Sequence, residues 1–255
     1  MASTTRYFLQ LSYNGATFSG WQFQPGLPTV QGELERALSA LLHEKITVMG
    51  CGRTDAGVHA LLYYAHIDAT AQGLENDQQF LFRLNKTLHE GIAVQRVFTV
   101  ADNVHARYSA KRRTYEYFIC RSKNPFQKDQ RWLLHEDIDI GKLNAAASII
   151  SQQSEFISFS KSGNDSMTTL CTIQESAWRV QDDVLIYRIS ANRFLRCMVR
   201  MLVGTMVEHS KGRISAEQFQ NIFLAKKQPD VVYIAPANGL FLIDIEYPEG
   251  IVQEN

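Results

Sequence analysis

The sequence runs to 255 residues, room for one large domain or two packed halves. Hydrophobic residues make up 45 % and charged residues 20 %, enough for a core and too apolar for a disordered chain. Basic and acidic residues balance at 26 each, so no basic excess points to a nucleic-acid partner, and the short, charge-broken apolar runs exclude a membrane span.

The first ten residues carry a single basic residue, Arg6, without the apolar stretch of a secretion signal, so the expected location is cytoplasmic. Residues 6–13 alternate and read as a strand. A stretch punctuated by glycine and proline follows over 14–28. Its Trp21-Gln22-Phe23-Gln24 segment puts aromatic rings on a loop, where burial is the weaker explanation. Residues 29–42 read as a helix, with Val30, Leu34, Ala37, Leu38, Leu41 and Leu42 on one face and Thr29 as N-cap. A short apolar strand over 46–49 leads into Gly50-Cys51-Gly52-Arg53-Thr54-Asp55-Ala56-Gly57. A strand over 58–68, a helix over 77–88 and a strand over 92–100 complete a β-α-β-β-α-β order, the split βαβ of ferredoxin-like folds.

The second half starts near Ala106. It reads as a long strand over 113–121, a polar connection holding Pro125, and a helix over 140–151 that Asp139 can cap. Strands over 171–180 and 184–191 flank a turn at Gln181-Asp182-Asp183. A strongly apolar helix over 194–210, a short helix over 215–225 and a strand over 240–247 close the chain. The two halves are alike in element type, without a sequence repeat. The expected fold is α+β: two ferredoxin-like halves, 1–105 and 106–255, packed into a continuous, mostly antiparallel sheet with helices on one face and the active-site cleft between them.

Cysteines 51, 120, 171 and 197 form no Cys-x-x-Cys pair, and the seven histidines are scattered, so neither a zinc site nor any other metal is expected. Charge is unevenly spread. Arg107, Lys111, Arg112, Arg113, Arg121, Lys123, Lys128 and Arg131 crowd one segment against Glu116 and Asp129, interleaved with Tyr108, Tyr115, Tyr117, Phe118 and Phe126. Such a run is either a solvated face or an RNA grip, since bases stack on aromatic rings.

The loop at 50–57 needs its own account. Its glycines permit a sharp turn and close backbone approach. A dinucleotide fingerprint fails because position 55 is Asp rather than Gly, and a P-loop fails because no Gly-Lys-Ser/Thr follows. A tight polar turn capped by Asp55 and a catalytic loop both remain open.

Gly52-Arg53-Thr54-Asp55-Ala56-Gly57-Val58-His59-Ala60 closely resembles the signature of the tRNA pseudouridine synthase A family. Further stretches resemble that family in order: Leu11-Ser12-Tyr13-Asn14-Gly15 with Phe18-Ser19-Gly20-Trp21-Gln22; Thr29-Val30-Gln31-Gly32-Glu33-Leu34-Glu35; Phe82-Arg83-Leu84-Asn85; His105-Ala106-Arg107-Tyr108-Ser109-Ala110 with Thr114-Tyr115-Glu116-Tyr117; Phe194 to Arg200 with Val203-Gly204-Thr205; and Ala235-Pro236-Ala237-Asn238-Gly239-Leu240. The chain departs from the pattern at Cys51, where alanine is expected, and at Thr169-Leu170-Cys171, near which the family often carries arginine.

The resemblance implies isomerisation of uridine to pseudouridine at positions 38, 39 and 40 of the tRNA anticodon stem-loop, by a homodimer. Matched residue by residue, it implies Asp55 as the catalytic carboxylate, Tyr115 packed on the target base, Arg53 in base flipping, Arg200 as the basic partner of the aspartate, and Leu240 as an apolar pocket contact. The reaction consumes no electron, phosphate or water, so no cofactor is expected; it requires one ionised carboxylate, as nucleophile or as counter-charge to the sugar. The alternative is a non-catalytic tRNA-binding or tRNA-folding protein on the same scaffold.

Overall fold

The computed structural model of the chain describes residues 4–161, 168–227 and 229–252. Among them are nine strands, mostly antiparallel, and five α-helices. Two compact units emerge: Met1–Lys111 with Leu242–Asn255, and Arg112–Phe241. The last strand therefore starts in the second unit and ends in the first.

The first unit comprises β1 (Thr5–Tyr13), α1 (Val30–Leu42), β2 (Met49–Gly50), β3 (His59–Ala69), α2 (Gln78–Thr87) and β4 (Ile92–Thr99). Its strand order is β4-β1-β3 with β2 added to β3, every pairing antiparallel. This is the split βαβ arrangement expected from the sequence. The helices start where their caps allow: Thr29 accepts from the Gly32 amide at 3.3 Å and Asp77 from the Phe80 amide at 2.8 Å. Tyr7, Leu9 and Leu11 of β1, Leu34 and Leu38 of α1, and Phe80 and Leu84 of α2 are buried in its core, where α1 lies against α2.

The strand expected over 46–49 shrinks to Met49–Gly50. Side chains of α1 have taken the backbone groups that would make the ladder. The Ser39 hydroxyl accepts from the Ile46 amide at 2.9 Å, Glu35 accepts from the Val48 amide at 3.0 Å, and the Gln31 amide donates to the Val48 carbonyl at 3.2 Å.

The second unit holds β5 (Arg112–Cys120), β6 (Trp132–Leu133), α3 (Ile140–Ser151), β7 (Ile173–Gln181), β8 (Val184–Ala191), α4 (Met198–Ser210), α5 (Ala216–Leu224) and the start of β9 (Leu240–Glu246). Its order is β5-β8-β7, antiparallel, with the short β6, not expected from the sequence, parallel to β5. Asp182 and Asp183, both at positive φ (49° and 62°), make the two-residue hairpin turn between β7 and β8. Asp139 caps α3, and Ser215 with Gln218 forms a capping box on α5. Helix α3 packs on β7 and α4, and Trp178 of β7 stacks on Tyr187 at 4.9 Å.

Two expected boundaries move for one reason. The helix expected from residue 194 begins at Met198, because Cys197 is left-handed (φ 62°) and the Arg196 carbonyl accepts from the distant Lys161 amide at 3.2 Å. Strand β7 starts after Cys171 and Thr172, whose amides are held by the Ser154 carbonyl (2.9 Å) and the Asn192 side chain (2.8 Å). In both places a long-range hydrogen bond replaces a local one.

Candidate active site

The loop bearing Asp55 joins β2 to β3 in the first unit and is fixed on both sides by residues 18–21. The Trp21 amide donates to the Thr54 carbonyl at 3.1 Å, and the Gly57 amide donates to the Phe18 carbonyl at 3.3 Å. Between these anchors the Val58 amide closes on the Asp55 carbonyl at 3.2 Å, with Gly57 at φ 79° in the third position. That is the signature of a type II turn, which demands positive φ there. Gly20, at φ 97°, lets the bracketing segment approach: a Cβ on it would lie 2.7 Å from the Thr54 carbonyl oxygen.

Aromatic residues support the loop from below. The Tyr13 hydroxyl is 2.9 Å from the Thr54 hydroxyl, and the Tyr63 hydroxyl donates to the Gly52 carbonyl. Trp21 stacks on Tyr63 at 4.2 Å and is only 2 % exposed. Burial therefore does account for Trp21, contrary to the expectation for an aromatic on a loop; Phe23, half exposed, keeps the expected character. Gln31 of α1 ties this segment down, accepting from the Gln22 side chain at 2.8 Å and the Phe23 amide at 2.9 Å. Neither Tyr13 nor Tyr63 carries a local signal for this supporting role: Tyr13 lies in a stretch that resembles the family and Tyr63 in an expected strand.

Within the loop, Thr54 and Cys51 are buried, Asp55 is half-buried and Arg53 is exposed. Asp55 is thus a carboxylate at the first position of a turn whose flanking backbone is hydrogen-bonded on both sides. His59, the first residue of β3, is buried and accepts from the Gly15 amide through Nδ1 at 3.1 Å, tying β3 to the turn that follows β1.

Tyr115, Arg200 and Leu240 belong to the second unit. Tyr115 lies on β5 opposite Ile189 of β8, half-buried, its ring edge-on to Phe194 at 5.1 Å. Tyr117, two residues on and so on the same strand face, is fully buried; its hydroxyl donates to the Pro236 carbonyl at 2.7 Å and burial pushes its ionisation well above the ordinary phenol range. Arg200 sits in the first turn of α4. Its Nε donates to the Ala235 carbonyl at 2.8 Å, and the Ala235 amide returns a bond to the Arg200 carbonyl at 3.0 Å. Leu240 follows directly, buried at the start of β9. The segment 235–240 therefore gathers Arg200, Tyr117 and Leu240 into one neighbourhood. A shallow groove of about 220 Å³ elsewhere on this unit, lined by Phe118, Arg131, Arg179, Val184 and Ile186 among others, includes none of these residues.

Among the described residues no cluster of three or more His, Cys, Asp or Glu side chains could hold a metal ion, and no helix is long and apolar enough to cross a membrane. No cysteine among them is disulfide-bonded; Cys51 and Cys171 are buried, Cys120 and Cys197 half-buried.

This mixed α/β fold, with its carboxylate turn on a split βαβ unit, is of the pseudouridine synthase class: a family model for tRNA pseudouridine synthase matches residues 153–248, the stretch that holds Arg200 and Leu240. Relatives extend the likeness over the Asp55 loop. The chain is 39 % identical over 252 residues to a tRNA pseudouridine synthase A of Bacteroides fragilis, covering 98 % of this chain and all of that one. It is 40 % identical over 245 residues to the enzyme of that name from Parabacteroides distasonis (96 % of each chain), and 41 % identical over 241 residues to that from Dictyoglomus thermophilum (94 % of this chain, 98 % of that one). The chain belongs to the tRNA pseudouridine synthase A family.

Proposed function

We propose that the protein isomerises uridine to pseudouridine at positions 38, 39 and 40 of the tRNA anticodon stem-loop, with Asp55 as the catalytic carboxylate. The observation that carries this reading is the turn at residues 55–58, anchored through Thr54 and Gly57 to the 18–21 segment. A carboxylate held this way loses little freedom at the moment of reaction, which is what electrostatic or nucleophilic assistance at C1′ requires.

In this reading the N1–C1′ bond of uridine breaks, the uracil turns, C5 joins C1′, the proton on C5 leaves to solvent, and the freed N1 takes one up. Asp55 attacks or stabilises the electron-poor carbon. Tyr115 offers a ring face to the uracil, Leu240 an apolar contact, and Arg200 a positive charge for the carboxylate, its Nε anchored on Ala235. Arg53, exposed two residues before Asp55, fills the gap left when the base leaves its stack, a step that costs roughly a few kcal/mol. A homodimer acting in the cytoplasm without metal or cofactor completes the proposal.

The test is to map pseudouridine in unmodified tRNA with wild-type protein and with Asp55→Ala. Conversion by the wild type alone supports the reading. A wild type that binds tRNA and converts nothing points instead to a tRNA-binding or tRNA-folding protein.

A further inference from the structure

Phe126 is 92 % exposed, the most exposed of the large hydrophobic residues described. It does not sit on a slack loop. The Asn124 side chain accepts from the Phe126 amide at 3.0 Å, and the Gln127 and Gln130 amides close successive turns onto Asn124 (3.1 Å) and Gln127 (3.0 Å). From outside, the Asn238 side-chain amide donates to the carbonyls of Lys128 at 3.0 Å and Arg131 at 2.9 Å. The loop is thus fastened two residues before Leu240, and it holds an apolar ring out into water.

A single exposed phenylalanine is ordinary on a protein surface; this one stands out because a hydrogen-bonded loop presents it among cations. Its surroundings indicate what covers it. Arg121, Lys123 and Lys128 are exposed and Arg131 half-buried within residues 121–131, whose only acid is Asp129. A second copy of this loop would set cation against cation. A polyanion with exposed ring faces fits both features: phosphates pair with the cations and a base stacks on the ring.

We propose that the loop over 121–131 is an RNA-binding element in which Phe126 stacks on an unpaired nucleotide of the tRNA, other than the uridine being isomerised, while Lys123 and Lys128 contact the flanking phosphates. This rests on the tRNA reading above and adds a positioning residue to it. Phe126 holds the substrate and has no part in the bond changes.

The experiment uses the full chain and an unmodified full-length tRNA transcript. Phe126→Ala is expected to weaken tRNA binding at least about fivefold, the lower end of what one base–aromatic stack contributes. The slope of log Kd against log salt should stay unchanged, as should the single-turnover rate at saturating tRNA and the thermal midpoint. Phe126→Trp should restore affinity, and its added tryptophan fluorescence should be quenched by tRNA; Phe126→Leu, apolar without a π face, should not restore affinity. Lys123→Ala and Lys128→Ala should each flatten the salt slope by about 0.7–0.9. Wild-type affinity in Phe126→Ala, or full rescue by leucine, overturns the stacking role. Unchanged tRNA affinity with a changed oligomeric state assigns the ring to a protein interface instead. A wild type that makes no pseudouridine refutes the proposed reaction; an active wild type with an indifferent Phe126 refutes only this proposal.

Discussion

The hydroxyl of Tyr13, at the end of β1, lies 2.9 Å from that of Thr54, the residue immediately before Asp55. Both residues are buried, so the central strand of the first unit is joined directly to the turn that presents the carboxylate. Tyr13→Phe removes this bond and leaves the Thr54 hydroxyl to find another partner. The expected cost is about 1 kcal/mol of stability and a fall of roughly tenfold in single-turnover rate with little change in tRNA affinity, since a loosened turn loses orientation rather than binding. Chemical denaturation and rapid-quench assays at saturating tRNA measure the two effects separately.

Asp55→Asn keeps the shape of the side chain and removes its charge. Pseudouridine formation is expected to drop by at least about 10³-fold, with the tRNA dissociation constant within a few-fold of wild type. A tritium-release assay on C5-labelled uridine in tRNA, paired with filter binding, checks both. A substantial rate in the asparagine variant would remove Asp55 from the chemistry.

Gly20 sits at φ 97° with the Thr54 carbonyl oxygen 2.7 Å from where a Cβ would stand. Gly20→Ala therefore meets backbone strain and a collision together. It should cost about 1–3 kcal/mol of stability and shift the Asp55 turn. Restoring stability with low temperature should not restore the rate, whereas a purely global effect would vanish on cooling.

Arg200 holds Ala235 through both its Nε and its carbonyl. Lysine keeps the charge and loses the fixed fork, so Arg200→Lys should retain tRNA binding and lose about 10- to 100-fold in single-turnover rate. Arg200→Met should lose more. Equal rates for lysine and arginine would reduce the residue to a generic charge.

His66 is 3 % exposed, and its Nδ1 accepts from the Ala106 amide at 3.1 Å. Burial first, then the facing His105 and Arg6, lower its pKa to about 4, against a smaller opposing effect of Asp68. Below an ordinary histidine pKa of about 6.5 the unfolded chain takes up a proton that the folded chain refuses. Stability from this site is therefore full above about pH 6.5 and falls as pH drops towards 4, by about 2–3 kcal/mol at most. Denaturation midpoints from pH 8 to pH 4 follow the decline, which His66→Gln should lessen.

Much of this architecture was legible from local signals. Thr29, Asp77, Asp139 and Ser215 cap their helices at the starts expected for them, and the strands expected over 6–13, 58–68, 113–121 and 184–191 match β1, β3, β5 and β8 to within a residue. The Gly-Arg-Thr-Asp-Ala-Gly loop was equally visible, because turn residues and a carboxylate are properties of a few neighbouring positions. What sequence alone did not reach was competition for backbone groups between distant segments. Ser39 and Glu35 withdraw residues 46–48 from the sheet, Lys161 takes the Arg196 carbonyl just ahead of α4, and Trp21 stacks under Gly52 by way of Tyr63.

The sequence by itself determined the order of the main elements, the starts of α1, α2, α3 and α5, and the chemistry available at Asp55, since each depends on contacts a turn or two away. Only the tertiary structure decided that the chain's last strand would end in the first unit, and that residues 18–21 would brace the Asp55 turn. Those outcomes depend on which hydrogen-bonding groups remain to be satisfied once the core has closed, and burial imposes that condition on the whole chain at once.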